Sequence, residues 1–132
     1  RMAIKYFFDT YAFYEFIDGN KKYKPYFEKF EIITTRLNLI ELLYSLIKDF
    51  KIRLPNDLVK GWIELIVRNS IIVEPKERIK IVKEDPKDDM FIEAAVAGNV
   101  DYVVSQDKHL LNLKEVRGIK IVTPEEFCKM HN

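Results

Sequence analysis

Cysteine, glutamine and long hydrophobic runs are all scarce in this chain of 132 residues. The single cysteine, Cys128, excludes an internal disulfide and any zinc site built from several cysteines. No apolar run approaches the roughly 20 residues of a membrane span and no signal peptide opens the chain, so we expect a cytoplasmic protein. Because the net charge is only +1, nucleic-acid binding would require a local basic patch rather than a global field.

The composition is that of a soluble globular protein, with 48% hydrophobic and 33% charged residues. A chain of this length is most simply one domain, which we expect to span residues 2–132 because Arg1 precedes Met2. Lysine and glutamate are abundant whereas Gln106 is the only glutamine, a balance that favours a heat-adapted source.

Strand and helix signals alternate along the chain. Short apolar runs predict strands over residues 4–8, 32–34, 71–73, 102–104 and 120–122. Helices are predicted over residues 11–17, 21–30, 35–50, 55–68, 85–98 and 108–113, and a last one begins after Thr123. Thr10 is expected to be the N-cap of the first helix. Apolar strands separated by helices indicate an α/β fold whose parallel sheet is covered on both faces.

Four acidic residues could be directed into one crevice of such a sheet: Asp9, Asp89 and Asp107, which fall where a strand ends or a helix begins, and Glu41, which lies within a helix. Ligands of open α/β sheets bind outside the carboxyl ends of the strands. Converging carboxylates would repel by roughly several kcal/mol unless a divalent cation lay between them. Because oxygen ligands alone favour Mg²⁺ or Mn²⁺, the sequence predicts a metal-dependent enzyme that acts on phosphates.

Glu41 lies in the middle of a predicted helix whose residues 37–47 are mostly apolar. The polar residues of this helix form one stripe, namely Asn38, Glu41, Ser45 and Lys48. The stripe could be an ordinary solvent-exposed face, or it could line a polar cleft. The wide apolar arc favours the cleft, because it predicts a helix that is largely buried.

The segment that contains Asp89 has two interpretations. Asp85 suits a helix N-cap, Pro86 suits the first helical position, and Asp88 complements the helix dipole. Asp89 could equally be a structural residue or a metal ligand. Glu93, four residues further on, shares a face with Asp89 and could support the same site or be merely solvated, of which the solvated interpretation is favoured.

The order of these motifs resembles the PIN domain: Phe8-Asp9-Thr10, then Glu41, then Asp89-Met90-Phe91-Ile92-Glu93-Ala94-Ala95, and finally Val104-Ser105-Gln106-Asp107. The run from Asp85 to Asp107 is especially similar to bacterial and archaeal PIN proteins of the VapC type. The resemblance covers nearly the whole chain. The sequence departs from the commonest VapC pattern at Gln106, a position where arginine or glycine is frequent.

The resemblance implies a three-layer α/β/α sandwich with about five parallel strands in the order 3-2-1-4-5. It implies that a metal site with Mg²⁺ or Mn²⁺ is formed by Asp9, Glu41, Asp89 and Asp107, with support from Thr10, Asn38 and Ser105. The implied activity is hydrolysis of RNA phosphodiester bonds by water that the metal activates. Proteins of this type are commonly the toxin of a toxin–antitoxin pair and often homodimers, so an antitoxin and a second copy are expected partners.

Two other functions stay open. One is a non-catalytic PIN-like module that binds RNA or protein. The other is an aspartyl-phosphate or receiver-like domain, which also places an aspartate after its first strand, although Thr10-Tyr11 lacks the paired acid of a phosphatase loop.

Substrate and partner contacts are less defined. A basic run follows the third strand, consisting of Lys76, Arg78, Lys80, Lys83 and Lys87, and a second group follows Asp107, consisting of Lys108, His109 and Lys114. Both could bind phosphates. The alternative for the first run is a solvated segment whose charge is cancelled by the interleaved Glu74, Glu77 and Glu84. His109 is expected to be a surface residue, and the apolar helices around 11–17 and 62–67 could form a dimer face or simply the core.

Overall fold

The computed structural model describes residues 4–18, 29–48, 55–81 and 86–131 of the chain. Its strands are β1 (Lys5–Phe8), β2 (Glu31–Thr34), β3 (Ser70–Ile72), β4 (Tyr102–Val104), β5 (Glu115–Val116) and β6 (Ile119–Val122). Its helices are α1 (Thr10–Asp18), α2 (Arg36–Lys48), α3 (Asn56–Arg68), α4 (Pro86–Ala97), α5 (Lys108–Leu111) and α6 (Pro124–Met130). The helix predicted over residues 21–30 lies outside the described residues except for its last two positions.

The strands form one sheet in the order β3-β2-β1-β4-β6-β5. The five neighbouring strands from β3 to β6 in this order are parallel, as predicted. Strand β6 is the one that was expected to be the fifth strand of the sheet. The short strand β5 was not predicted and pairs antiparallel with β6. Its turn contains Arg117 and Gly118, both with positive φ, which is what a tight two-residue hairpin requires.

Side-chain alternation along the strands divides the core into two layers. Tyr6 and Phe8 of β1 pack with α1, α2, α3 and α6 on one face, whereas Phe7 packs with α4 and α5 on the other. All three are essentially fully buried, and burying one such side chain contributes about 1.5–3 kcal/mol. The three-layer α/β/α arrangement is therefore confirmed.

Local side-chain hydrogen bonds set the beginnings of the helices. Thr123 and Glu126 form a capping box at α6, and the Thr35 hydroxyl accepts from the Asn38 N–H at the start of α2. Thr10 was predicted to cap the first helix, and this is wrong. The Asp9 carboxylate accepts from the backbone N–H of Ala12 at 2.8 Å, while the Thr10 hydroxyl is directed to another helix.

The expectation that α2 is largely buried is also wrong. Its described core residues are Leu42 and Leu46 together with Asn38, whereas Ile40 and Tyr44 are 64% and 66% exposed. Leu37, Leu43 and Ile47 are exposed as well. The apolar arc of α2 is wider than the part of the helix that contacts the sheet and its neighbours, so the remainder faces outward. None of the described helices is long and apolar enough to cross a membrane.

Gly98, which follows α4, packs tightly against β2. A Cβ added to Gly98 would lie 2.5 Å from Cγ2 of Ile33, a branched side chain that is 1% exposed and has little freedom to move. Gly61 in α3 offers a matched contrast, because an added Cβ would meet nothing within 4 Å.

We expect Gly98→Ala to lower the free energy of unfolding by about 1–3 kcal/mol because of this overlap. Gly61→Ala should raise it by roughly 0.5–1 kcal/mol, because alanine favours the helix interior. Urea unfolding of both variants tests the packing of α4 on the sheet. Equal unfolding midpoints for the two variants would contradict it.

Candidate functional site

The parallel pairing of β1 with β4 brings Asp9 and Asp107 to the same edge of the sheet. Phe8 lies opposite Val104, and the N–H of Asp9 donates to the Val104 carbonyl at 3.2 Å. Asp107 follows Val104 by three residues and begins α5, where its carboxylate accepts from the N–H of His109 at 2.8 Å. The two acids are close enough for the charge of Asp107 to act on Asp9.

Ser105 connects the two acids. Its hydroxyl oxygen accepts from the N–H of Asp107 at 2.9 Å, and its side chain also hydrogen-bonds to the Asp9 carboxylate. A hydroxyl has one proton, and a carboxylate can only accept, so Ser105 donates to Asp9. Ser105 is fully buried, and these two bonds fix the position of Asp9 relative to Asp107.

Burial raises the pKa of Asp9 to about 6. The side chain is only 3% exposed, and the nearby charge of Asp107 raises the pKa further. Hydrogen bonds from Ser105 and the Ala12 N–H act in the opposite direction, because they stabilise the ionised form. At neutral pH Asp9 is therefore an ionised carboxylate in a buried position, which is an environment that a cation would stabilise.

A chain of hydrogen bonds links Asp9 to α2 through its neighbour Thr10. The Thr10 hydroxyl donates to Oδ1 of Asn38, and Oε2 of Glu41 lies 3.4 Å from the same hydroxyl. Nδ2 of the buried Asn38 donates to the Phe8 carbonyl at 2.7 Å. The first two residues of the polar stripe on α2, Asn38 and Glu41, thus face the end of β1, and the cleft interpretation agrees with these contacts. Lys48, at the other end of the stripe, is exposed.

Asp89 and Glu93 contact a different part of the chain. Oδ1 of Asp89 accepts from the N–H of Ile81 at 3.0 Å, and Oε2 of Glu93 accepts from the N–H of Ile79 at 2.8 Å. The expectation that Glu93 is merely solvated is therefore wrong. We call residues 74–81 the strap, because these bonds hold this segment along α4. Of the capping residues predicted beside Asp89, Asp85 and the side chains of Pro86 and Asp88 lie outside the described residues.

A small cavity of about 90 Å³ lies between α2, the strap and α4. Asn38 and Glu41 line it from α2, Pro75 from the strap, and Phe91 and Glu93 from α4. Glu41 therefore lies between this cavity and Thr10, at the same edge of the sheet as Asp9.

The donor set fits a metal that needs few protein ligands. Within residues 4–18, 29–48, 55–81 and 86–131, no three or more His, Cys, Asp or Glu side chains are grouped so as to hold an ion. Asp9 and Asp107 do converge, and Mg²⁺ is commonly bound by one or two carboxylates, with water and substrate phosphates completing its shell. The pair therefore suits Mg²⁺ or Mn²⁺, and ligation by Asp9, Asp107, Glu41 and Asp89 stays a prediction.

Comparison with solved structures agrees with this fold. The crystal structure of PAE2754 from Pyrobaculum aerophilum superposes with a TM-score of 0.68 at 19% sequence identity, covering 98% of this chain and 90% of that one. A family model of the PIN domain matches residues 26–109, which is more than half of the chain. The chain therefore belongs to the PIN domain family. No curated protein matches its sequence.

PIN domains are generally nucleases and typically use a divalent metal. The expected family, and the expected strand order around β1, are confirmed. Membership in this family removes the receiver-like alternative. Sequence reasoning did not find the strap or the hydrogen-bonding role of Glu93, because neither residue type nor spacing distinguishes an acid that binds a backbone N–H from a solvated one.

The raised pKa of Asp9 predicts how stability depends on pH without divalent cations. Between its ordinary value of 3.8 and about 6, the folded state binds more protons at Asp9 than the unfolded state does. The Asp9 contribution to stability therefore falls as pH rises through this range. Asp9→Asn should remove this dependence and raise the free energy of unfolding at pH 7 by on the order of 1–3 kcal/mol.

Urea unfolding in EDTA from pH 4 to pH 7.5 measures this difference between Asp9→Asn and the wild type. Asp57→Asn, at an exposed acid in the first turn of α3, is the control and should keep the wild-type pH dependence. If stability depended on pH in the same way in the wild type and in Asp9→Asn, the pKa of Asp9 would not be raised in the folded protein.

Proposed function

We propose that this protein is a Mg²⁺- or Mn²⁺-dependent endoribonuclease of the VapC type, which hydrolyses RNA phosphodiester bonds in the cytoplasm. The observation that carries the proposal is the burial of the Asp9 carboxylate beside Asp107 at the carboxyl edge of β1 and β4. Membership in the PIN domain family supports the nuclease chemistry.

In this proposal Asp9 and Asp107 hold the metal, with Glu41 and Asp89 acting directly or through water. When bound, the metal would polarise a phosphoryl oxygen and lower the pKa of a water molecule. Glu41 has geometric support, because it contacts Thr10 beside Asp9. Asp89 has the least support of the four acids, because its described hydrogen bond is to the N–H of Ile81 in the strap.

The remaining residues of the site position the carboxylates. Ser105 fixes Asp9 against Asp107, and Asn38 holds Thr10 while anchoring itself to the Phe8 carbonyl. This preorganisation reduces the rearrangement needed when a phosphate arrives. His109 is not needed as a base: it lies on the exposed short helix α5, where Nδ1 is 3.8 Å from Oδ1 of Asp107.

The second candidate is a non-catalytic PIN-like module that captures RNA or a protein. It is favoured by the fact that the described residues gather only two carboxylates closely, rather than a cluster of three or more. Such a module has no requirement for cation binding at Asp9. Cation binding therefore discriminates between the two functions.

A homodimer and an antitoxin partner belong to the same proposal. The exposed residues of α2 support a second copy, because Leu37, Ile40, Tyr44 and Ile47 recur at spacings of three, four and three. Spacings of three and four residues are those of the narrow apolar seam of a coiled coil. The spacings are the same in both chain directions, which suits antiparallel packing of two copies of α2 about a two-fold axis. Sedimentation should show a dimer that Ile40→Asp converts to a monomer; a wild-type monomer would remove this part of the proposal.

Cleavage of single-stranded RNA tests the proposed activity. Asp9→Asn and Asp107→Asn should each reduce the Mg²⁺-dependent rate at least about 100-fold, because each removes an expected metal ligand. The exposed Glu64→Gln in α3 is a matched charge-removal control and should keep the wild-type rate. Circular dichroism confirms that each variant is folded.

Cleavage by folded Asp9→Asn at the wild-type rate would end the nuclease proposal. The toxin role is tested separately, by growth arrest on expression in a bacterial host. Arrest that Asp9→Asn relieves would support it, whereas normal growth with an active nuclease would leave an RNA-processing enzyme instead.

A further inference from the structure

We propose that Lys76, Arg78 and Lys80 of the strap form a contact row for the phosphate backbone of single-stranded RNA and guide it along the edge of the sheet that carries Asp9 and Asp107. This inference rests on the proposed function, because it assigns a surface to the same substrate. It starts from the way in which α4 holds the strap.

Two carboxylates of α4 fix the backbone of the strap. Ile79 bonds to Glu93 and Ile81 bonds to Asp89, so the strap runs antiparallel to the helix. Two residues of extended chain span about 6.6 Å and four residues of helix span about 6 Å, so both bonds can form together. The strap is therefore held at two successive points rather than lying loosely on the surface.

This anchoring determines which strap side chains face solvent. Successive side chains of an extended chain point to opposite sides. Ile79 is 5% exposed and Ile81 is half-buried, whereas Arg78 and Lys80 between and beside them are exposed. Lys76, which precedes a bend at Glu77, is exposed as well. Three bases thus lie in sequence on the outer side of a segment whose inner side is attached to the protein.

The acids of the strap are directed to other elements. Oε1 of Glu77 accepts from Nη1 of Arg117 at 2.8 Å, and Glu74 lies 3.9 Å from Nη1 of Arg36 at the start of α2. Within the described part of the chain, Lys76, Arg78 and Lys80 form no ion pair. Glu74 and Glu77 therefore have partners outside the strap, and for these two acids the objection that the sequence raised no longer holds. Glu84, Lys83 and the side chain of Lys87 lie outside the described residues.

The position of the strap relates the row to the candidate active site. The strap follows β3 at the carboxyl edge of the sheet, where the N–H of Val73 donates to the Thr34 carbonyl at 2.9 Å. Pro75 of the strap and Glu41 of α2 line the same small cavity. Glu41 in turn contacts Thr10, the residue after Asp9. A strand of RNA bound along the row would pass beside the acidic pair.

The charge balance explains why such a row is needed. Ionised carboxylates repel phosphates, and a chain with a net charge of +1 has no global field to overcome that repulsion. Local bases at the rim of the site offset it. Contacts of this kind bind the backbone irrespective of sequence and depend strongly on salt.

The test is equilibrium binding of a fluorescent single-stranded RNA in EDTA, so that cleavage does not interfere, over a range of NaCl concentrations. The triple variant Lys76→Gln, Arg78→Gln and Lys80→Gln should lower the slope of log affinity against log salt by about two. At 50 mM NaCl its affinity should be roughly tenfold or more weaker. The control triple Lys60→Gln, Lys120→Gln and Lys129→Gln removes the same charge from exposed bases outside the strap and should keep the wild-type slope.

Equal salt slopes for the strap triple and the wild type would contradict the proposed contact row. An equal loss of affinity in the strap triple and the control triple would also contradict it, because it would indicate only a diffuse electrostatic field. Binding of an acidic peptide but not RNA, with the same dependence on the strap bases, would also overturn it and assign the row to a protein partner. Metal-dependent cleavage by the wild type separates the two proposals. If the wild type cleaves RNA but the strap triple binds RNA like the wild type, only the contact-row proposal is wrong. If RNA binding depends on the strap but no cleavage occurs, only the nuclease proposal is wrong.

Discussion

The parallel pairing of β1 with β4 brings two carboxylates together, the buried Asp9 and the partly exposed Asp107. An unpaired buried charge is costly, and the raised pKa of Asp9 is the sign of that cost. Three features of the fold offset part of it: the hydroxyl of Ser105, the N–H of Ala12, and the positive end of the dipole of α1. A site stabilised only in part is suited to binding a cation, because the cation supplies the stabilisation that is missing.

The same residue type performs a different task on α4. Asp89 and Glu93 accept hydrogen bonds from backbone N–H groups, and so fix the strap along α4. The acidic motif of the PIN resemblance thus combines two roles, since acids at the strand ends form the candidate metal site and acids on α4 position a neighbouring segment. A change at Asp89 would consequently alter strap geometry as well as any metal binding.

Much of this fold could be predicted from the sequence because its signals are local. Apolar runs such as 120–122 end shortly before the next helix begins, and the Thr123-Pro124-Glu125-Glu126 motif contains its own capping bonds. The placement of Asp9 and Asp107 at one edge followed from the rule for parallel sheets. Strand β5 was missed because two residues give no periodicity, and its hairpin depends on the positive φ of Arg117.

The wrong predictions concern side chains whose environment is determined by tertiary contacts. The wide apolar arc of α2 predicted burial, but a helix contacts its own domain on one side only, and Ile40 and Tyr44 remain exposed. Thr10 has the chemistry of an N-cap, yet Asp9 takes that role because Asn38 attracts the Thr10 hydroxyl. Sequence patterns state what a side chain can do, whereas its neighbours in space determine which of those interactions forms.

Calorimetric unfolding with increasing Mn²⁺ or Mg²⁺ tests the central claim most directly, because it reports cation binding at the acidic pair whether or not the protein cleaves RNA. The wild type should gain stability in a saturable way, by about 2.7 kcal/mol when the free cation is 100 times its dissociation constant, and Asp9→Asn and Asp107→Asn should lose this gain. A wild-type unfolding temperature that is indifferent to the cation, or an equal increase in Asp9→Asn, would contradict a metal site at the ends of β1 and β4.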